Sequence, residues 1–165
     1  MTKISAANRL NKDTWSEEVL IDFQNCEWLT DDGLKHLANV KRINLSGCKN
    51  ITDTGLAHLM KVKEINLNFC PRVTDAGLKH LANVKVIELG DCRWLTDVGL
   101  AHLSNVKVEK VLCCDCDRIT DAGLAHLVNV KVIYLNVCQN ITDAGKNLLR
   151  ARGVEFEPDG RRYWQ

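Results

Sequence analysis

A short apolar–polar alternation followed by an apolar helical turn recurs along the whole chain. In Val86-Ile87-Glu88-Leu89-Gly90-Asp91-Cys92, Ile87 and Leu89 alternate with Val86, Glu88 and Gly90. That period of two predicts a short strand with one buried face. The same pattern places Ile21/Phe23, Ile43/Leu45, Ile65/Leu67, Val111/Cys113 and Ile133/Leu135 inward, and Val154/Phe156 predicts a seventh, closing strand. After each strand a Thr-Asp pair supplies an N-cap and a first-turn acid, and an apolar-periodic turn such as Leu100-Ala101-His102-Leu103 follows. Each unit therefore reads as strand, turn, then short helix or 3₁₀ segment.

These units form one ladder. The frame Cys-x-x-[Ile/Leu/Val]-Thr-Asp-x-Gly begins at Cys26, Cys48, Cys70, Cys92, Cys116 and Cys138, every 22 residues except for a 24-residue step from Cys92 to Cys116. The extra two residues fall near Val108–Glu109. A fixed period of this size marks a solenoid, whose units bury their apolar faces only by stacking on one another. The expected organisation is an N-terminal cap at 1–18, six repeats at 19–152, and a cap strand and tail at 153–165. Stacking in register makes a parallel sheet on one face and a row of short helices on the other, an α/β solenoid. The glycine repeated in every frame costs about 1 kcal/mol against alanine in a helical turn. Its place on the helix flank implies close lateral approach between units.

The six cysteine frames, with their Ile-x-Leu-x-x-Cys strands, resemble the cysteine-containing leucine-rich repeat of F-box substrate receptors and mitotic-exit-type regulators. The resemblance implies a short horseshoe arc with the sheet on the concave face and the helices on the convex face. The units here are shorter than is usual in that family, which implies shorter helices and a flatter arc. A second resemblance covers Val108 to Leu127, which is similar to mitochondrial coupling-factor-B and complex-assembly-type repeat proteins.

Composition narrows the classes. With 45% apolar and 26% charged residues the chain has the makeup of a folded domain, and a net charge of +1 gives no electrostatic footprint for nucleic acid or an anionic membrane. No apolar stretch is long enough to span a bilayer. The opening MTKISAANRLNKDTWSEEV lacks an apolar signal core and contains acids, so an intracellular location is expected, the cytoplasm ahead of the mitochondrion. Eight cysteines, six of them at one repeat position, read as reduced structural thiols rather than a disulfide framework.

Several residue groups resemble chemistry. His36, His58, His80, His102 and His126 occupy one column, about 140° from the buried direction on a helical wheel of 3.6 residues per turn, hence on the convex side. A column repeated in five of the six units does not make one asymmetric active site. The Thr-Asp pairs are explained by capping. Cys26, Cys48, Cys70, Cys92, Cys116 and Cys138 stand where related repeats place asparagine, and a thiol can fill that inward slot as a small hydrophobe with a weak donor. In Cys113-Cys114-Asp115-Cys116 the alternation sends neighbouring thiols to opposite faces, so they do not converge on one metal ion. No phosphate loop, nucleophile elbow or zinc motif occurs, so no enzyme activity, cofactor or metal is expected.

Function is expected where the frame leaves freedom. The outward strand columns vary: Asp22, Asn44, Asn66, Glu88, Leu112 and Tyr134 in the middle, with Lys110 and Val132 to one side and Asp91 near the strand end. Leu112, Val132 and Tyr134 beside acids read as an exposed apolar centre with a polar rim, the pattern of a protein-binding face. Trp28, Phe69 and Trp94 are edge candidates. The expectation is a non-enzymatic module that binds another protein through its concave sheet, with no nucleic acid, membrane or small-molecule substrate. Alternatives are the recognition part of a ubiquitin-ligase substrate receptor, a consensus-designed scaffold without native partner, and a mitochondrial assembly factor.

Overall fold

The computed structural model describes residues 3–5 and 19–157. The expected caps at 1–18 and 153–165 therefore lie partly outside the described residues. Within them one parallel sheet runs in chain order: β1 (Lys3–Ser5), β2 (Leu20–Asp22), β3 (Arg42–Asn44), β4 (Glu64–Asn66), β5 (Val86–Glu88), β6 (Lys110–Cys114), β7 (Val132–Asn136) and β8 (Glu155–Phe156). The closing strand is present. A strand that the repeat pattern did not predict, β1, pairs in parallel with β2 and makes eight strands instead of seven. Register is constant, with Ile21, Ile43, Ile65, Ile87, Val111 and Ile133 in one row.

Between the strands lie α1 (Asp31–Leu34, extended by a 3₁₀ turn at Lys35–Leu37), α2 (Asp53–Leu56), α3 (Asp75–Leu78), α4 (Asp97–His102), α5 (Asp121–Ala125) and α6 (Asp143–Ala151). Isolated helices this short are unstable in water. They persist because each places residues such as Leu56 and Leu59, both fully buried, against the inward sheet residues Ile43 and Leu45.

Two side-chain ladders tie each unit to the next. The thiol of Cys48 donates to the carbonyl of Phe23 at 3.1 Å, Cys70 to Leu45 at 3.1 Å, Cys92 to Leu67 at 3.4 Å and Cys116 to Leu89 at 3.0 Å. Each of these cysteines thus reaches back to the strand end of the preceding unit. The reason is that the carbonyl of Phe23 gets no strand amide: the Ser46 N–H that would pair with it turns to the Asn44 Oδ1 instead, at 3.0 Å.

The second ladder runs forward. Both carboxylate oxygens of Asp53 are used by Thr74, one by its N–H at 2.7 Å and one by its hydroxyl at 2.6 Å. Asp31, Asp75, Asp97 and Asp121 hold Thr52, Thr96, Thr120 and Thr142 in the same way. The threonine hydroxyl meanwhile accepts the helix N–H two residues on, as Thr74 does from Ala76 at 3.3 Å. The frame glycine is what lets the carboxylate in. A Cβ on Gly77 would stand 2.5 Å from the Asp53 Oδ1, and on Gly123 2.2 Å from the Asp97 Oδ1.

Candidate binding surface

Each of the strands β2 to β7 is followed by a residue with left-handed backbone just before the ladder cysteine: Asn25 (φ 57°), Gly47 (73°), Phe69 (56°), Asp91 (53°), Asp115 (52°) and Val137 (55°). This twist breaks the strand and turns the chain towards the helix. Asparagine, aspartate and glycine tolerate it well, whereas bulky and β-branched side chains are strained there by about 1–3 kcal/mol. Phe69 and Val137 nevertheless occupy two of the six places, and both are more than half exposed. Between them sit Asp91, half-buried, and Asp115, exposed. Burial, and the charge of Asp115, raise the Asp91 carboxyl above the ordinary aspartate value, with Arg93 opposing.

The middle of the outward face corrects the sequence reading. Leu112 is only 5% exposed, and Asp22, Asn44, Asn66 and Glu88 are also buried. Alternation correctly sends these side chains to the outward side, but side and exposure are different quantities. In-register strands about 4.8 Å apart press each side chain against its column neighbours. Polar pairing then closes the remaining gaps. Asn66 and Asn68 both donate to the Glu88 Oε2, at 3.0 and 3.1 Å. Arg42 pairs with Glu64, and the Lys110 Nζ reaches the Glu157 Oε1 at 2.7 Å. Val132 and Tyr134, expected to be exposed, are half-buried. They do stand beside Lys110 and Leu112 on adjacent strands.

The edge aromatics separate. Trp28 is largely exposed and meets Phe23 edge to face, with ring centres 5.9 Å apart. Trp94, the other edge tryptophan, is half-buried against the core, with its Nε1 buried and lacking a hydrogen-bond acceptor.

The thiols are poorly suited to chemistry. Burial pushes Cys48 and Cys70 up to about 12 and Cys114 up to about 11. A neighbouring thiol followed by burial raises Cys138 as well. Reactive cysteines need the opposite shift. Of the histidines, His36, His102 and His126 are exposed, while His58 and His80 are half-buried. Among the described residues no cluster of three or more His, Cys, Asp or Glu side chains is arranged to hold a metal ion. No helix among them is long and apolar enough to cross a membrane.

A family model described as a leucine-rich repeat matches two consecutive stretches, residues 36–60 and 58–82. Those two units match as leucine-rich repeats. The stretches overlap by a few residues and run helix to helix, and the ladders carry the same unit through the rest of the described chain. A chain in the crystal structure of the Rad7 and Elc1 complex in yeast has a similar fold, with a TM-score of 0.53 over 84% of this chain. Sequence identity is 18%, so the likeness concerns the fold alone, and the match covers only 32% of that longer chain. No curated protein matches this sequence. The leucine-rich-repeat sheet presents its strand ends as one continuous edge, with Phe69, Asp91, Asp115 and Val137 in successive units. Sequence reasoning singled out Phe69 and Asp91 and missed Val137. The signal was available: the column Asn25, Gly47, Asp91, Asp115 is rich in residues that tolerate left-handed backbone, which makes Phe69 and Val137 anomalous in it.

Proposed function

We propose that this leucine-rich-repeat chain is a non-enzymatic protein-binding module whose contact surface follows the strand-end edge and the neighbouring part of the outward sheet. The observation that carries this reading is the placing of exposed Phe69 and Val137 on strained backbone, either side of Asp91 and Asp115. Folding does not ask for a phenyl ring or a valine there, since asparagine and glycine serve the same turn at Asn25 and Gly47. Strain held at an exposed apolar side chain supports a contact role. Tyr134, Val132 and Asn136 extend the same surface over β7. Apolar anchors ringed by acids match a partner with an apolar and basic contact patch. Leucine-rich repeats serve as protein-interaction surfaces, and the similar chain was itself solved in a complex with a second protein.

The test is affinity capture from the source cell, with the bound protein identified by mass spectrometry and its affinity then measured. Phe69→Ala with Tyr134→Ala should weaken binding at least tenfold, equivalent to about 1.4 kcal/mol. The convex pair Lys79→Ala with Val98→Ala should leave affinity unchanged. Loss of binding from the convex pair alone would move the contact surface to the helices.

A further inference from the structure

The edge of the sheet where the strands begin carries a column of lysines. Lys41, Lys63, Lys85 and Lys131 immediately precede β3, β4, β5 and β7, and Glu109 immediately precedes β6. Lys85 and Lys131 are exposed, while Lys41, Lys63 and Glu109 are half-buried. Two further exposed lysines, Lys61 and Lys107, stand two residues before Lys63 and Glu109.

The backbone fixes this column. The Lys41 carbonyl accepts from the Lys63 and Glu64 N–H groups at 2.8 and 2.9 Å, and the Lys63 carbonyl from Lys85 and Val86 at 2.7 and 3.0 Å. The Lys85 carbonyl accepts from Glu109 and Lys110 at 2.8 and 3.0 Å, and the Glu109 carbonyl from Lys131 and Val132 at 2.8 and 3.1 Å. Each column residue is thereby held one strand spacing, about 4.8 Å, from the next. Like charges side by side in a sheet are destabilising, and the two ladders between units make no use of these side chains. Glu109 shows what the column does with a carboxylate. The Lys85 Nζ lies 3.7 Å from its Oε1 and the Lys131 Nζ 3.3 Å from its Oε2, so one acid gathers a lysine from each side.

We propose that the strand-start edge is a docking surface for an acidic α-helix of a protein partner, whose carboxylates meet Lys41, Lys63, Lys85 and Lys131 in turn. From Lys41 to Lys131 is four strand spacings, about 19 Å, the length of a helix of about 13 residues. Acids at i, i+4, i+7 and i+11 share one helix face and advance about 5.4 Å per turn, within about 0.6 Å per step of the column. An extended acidic segment presents the residues of one side about 6.7 Å apart and falls out of step by about 2 Å at each position. Single-stranded nucleic acid fits less well, because its bases are held by aromatic stacking as well as charge. Among the described residues the aromatics Phe23, Trp28, Phe69, Trp94, Tyr134 and Phe156 all lie outside this column. The surface is on the opposite edge of the sheet from Phe69 and Val137, so it does not rest on the strand-end reading.

The probe is a fluorescein-labelled helical peptide with glutamates at i, i+4, i+7 and i+11, compared with a scrambled peptide of equal composition and a single-stranded oligodeoxynucleotide. Binding to the full-length protein is read by fluorescence anisotropy. The helical peptide should bind more tightly than either comparison, and less tightly as salt rises. Lys41→Gln with Lys85→Gln should weaken it about fivefold. Glu109→Gln should tighten it about threefold, because that change removes the competing carboxylate and releases Lys85 and Lys131. A gain of binding cannot come from a damaged fold, so the glutamate variant decides the matter even if the lysine pair unfolds. Phe69→Ala with Tyr134→Ala should leave this binding unchanged, which separates failure here from failure of the strand-end surface. Equal binding of the scrambled peptide, tighter binding of the oligonucleotide, or unchanged or weaker binding by Glu109→Gln overturns the proposal.

Discussion

Replacing Gly77 by alanine tests the close approach on which the forward ladder depends. Helix propensity favours the change by about 1 kcal/mol. Against that, the new Cβ would lie 2.5 Å from the Asp53 Oδ1 and 3.0 Å from the Leu56 Cδ1. The carboxylate cannot withdraw without loosening its bonds to the Thr74 N–H and hydroxyl, at 2.7 and 2.6 Å. Hydrogen bonds to a charged group contribute about 1.5–3 kcal/mol each. Losing one or two of them, less the propensity gain, leaves a net destabilisation of about 0.5–5 kcal/mol. Urea unfolding followed by circular dichroism measures it, and Asp53→Ala and the double variant complete a cycle. Asp53→Ala removes both the bonds and the obstacle, so alanine at 77 should then be neutral or stabilising. The two changes should be non-additive by more than about 1 kcal/mol. A stabilised Gly77→Ala protein, or strict additivity, would refute the account of why the glycine is there.

Other consequences are open to measurement. Val137→Asn relieves left-handed strain at φ 55° and should stabilise the fold by about 1 kcal/mol or more, read as a higher melting temperature; an unchanged or lower value would remove the strain argument. Cys70→Ala deletes the bond to the Leu45 carbonyl and leaves a small void, costing about 1–3 kcal/mol in denaturant unfolding; in the unsubstituted protein Cys48 and Cys70, held up to about 12, should stay unlabelled by a thiol reagent at neutral pH until the chain is unfolded. Bonds from the Thr142 hydroxyl and N–H lower the Asp121 carboxyl below its ordinary value. The stability they provide is present above the unfolded-state value and is lost as pH falls through the folded one. Thr142→Val should raise the Asp121 titration midpoint in a carboxyl-detected NMR experiment, and an unmoved midpoint would assign the shift to another cause.

How far the sequence could be read depended on distance along the chain. Ile87 and Leu89 betray their side by alternation alone, and the 22-residue period fixes what they pack against, so strands, helices and register were all legible. The Thr-Asp pair was only half legible. Thr74 does cap its own helix through Ala76, which accounts for the motif locally and hides that Asp53 spends both oxygens on the next unit. Leu112 shows a different limit: alternation assigns its face, whereas its burial depends on the side chains that flank it on the neighbouring strands. Strand β1 was missed because Lys3-Ile4-Ser5 is too short to show a period and stands outside the cysteine frame. Trp28 and Trp94 share a frame position yet differ in exposure, because the neighbouring loops differ.

The two ladders give the array a direction. Each unit extends a carboxylate to its successor and a thiol to its predecessor, so a unit is both a socket and a plug. Thr30, in the first frame, has no such acid before it among the described residues, and it is the one frame threonine whose side chain makes no cap bond to its helix. At the other end Asp143 has no following threonine to receive it. A 22-residue segment copied from the middle of the chain would carry both halves of every joint. It could be spliced between any two interior units, lengthening the sheet by about 4.8 Å without any residue changing elsewhere. Growth by duplication is therefore open to this architecture wherever two such units meet.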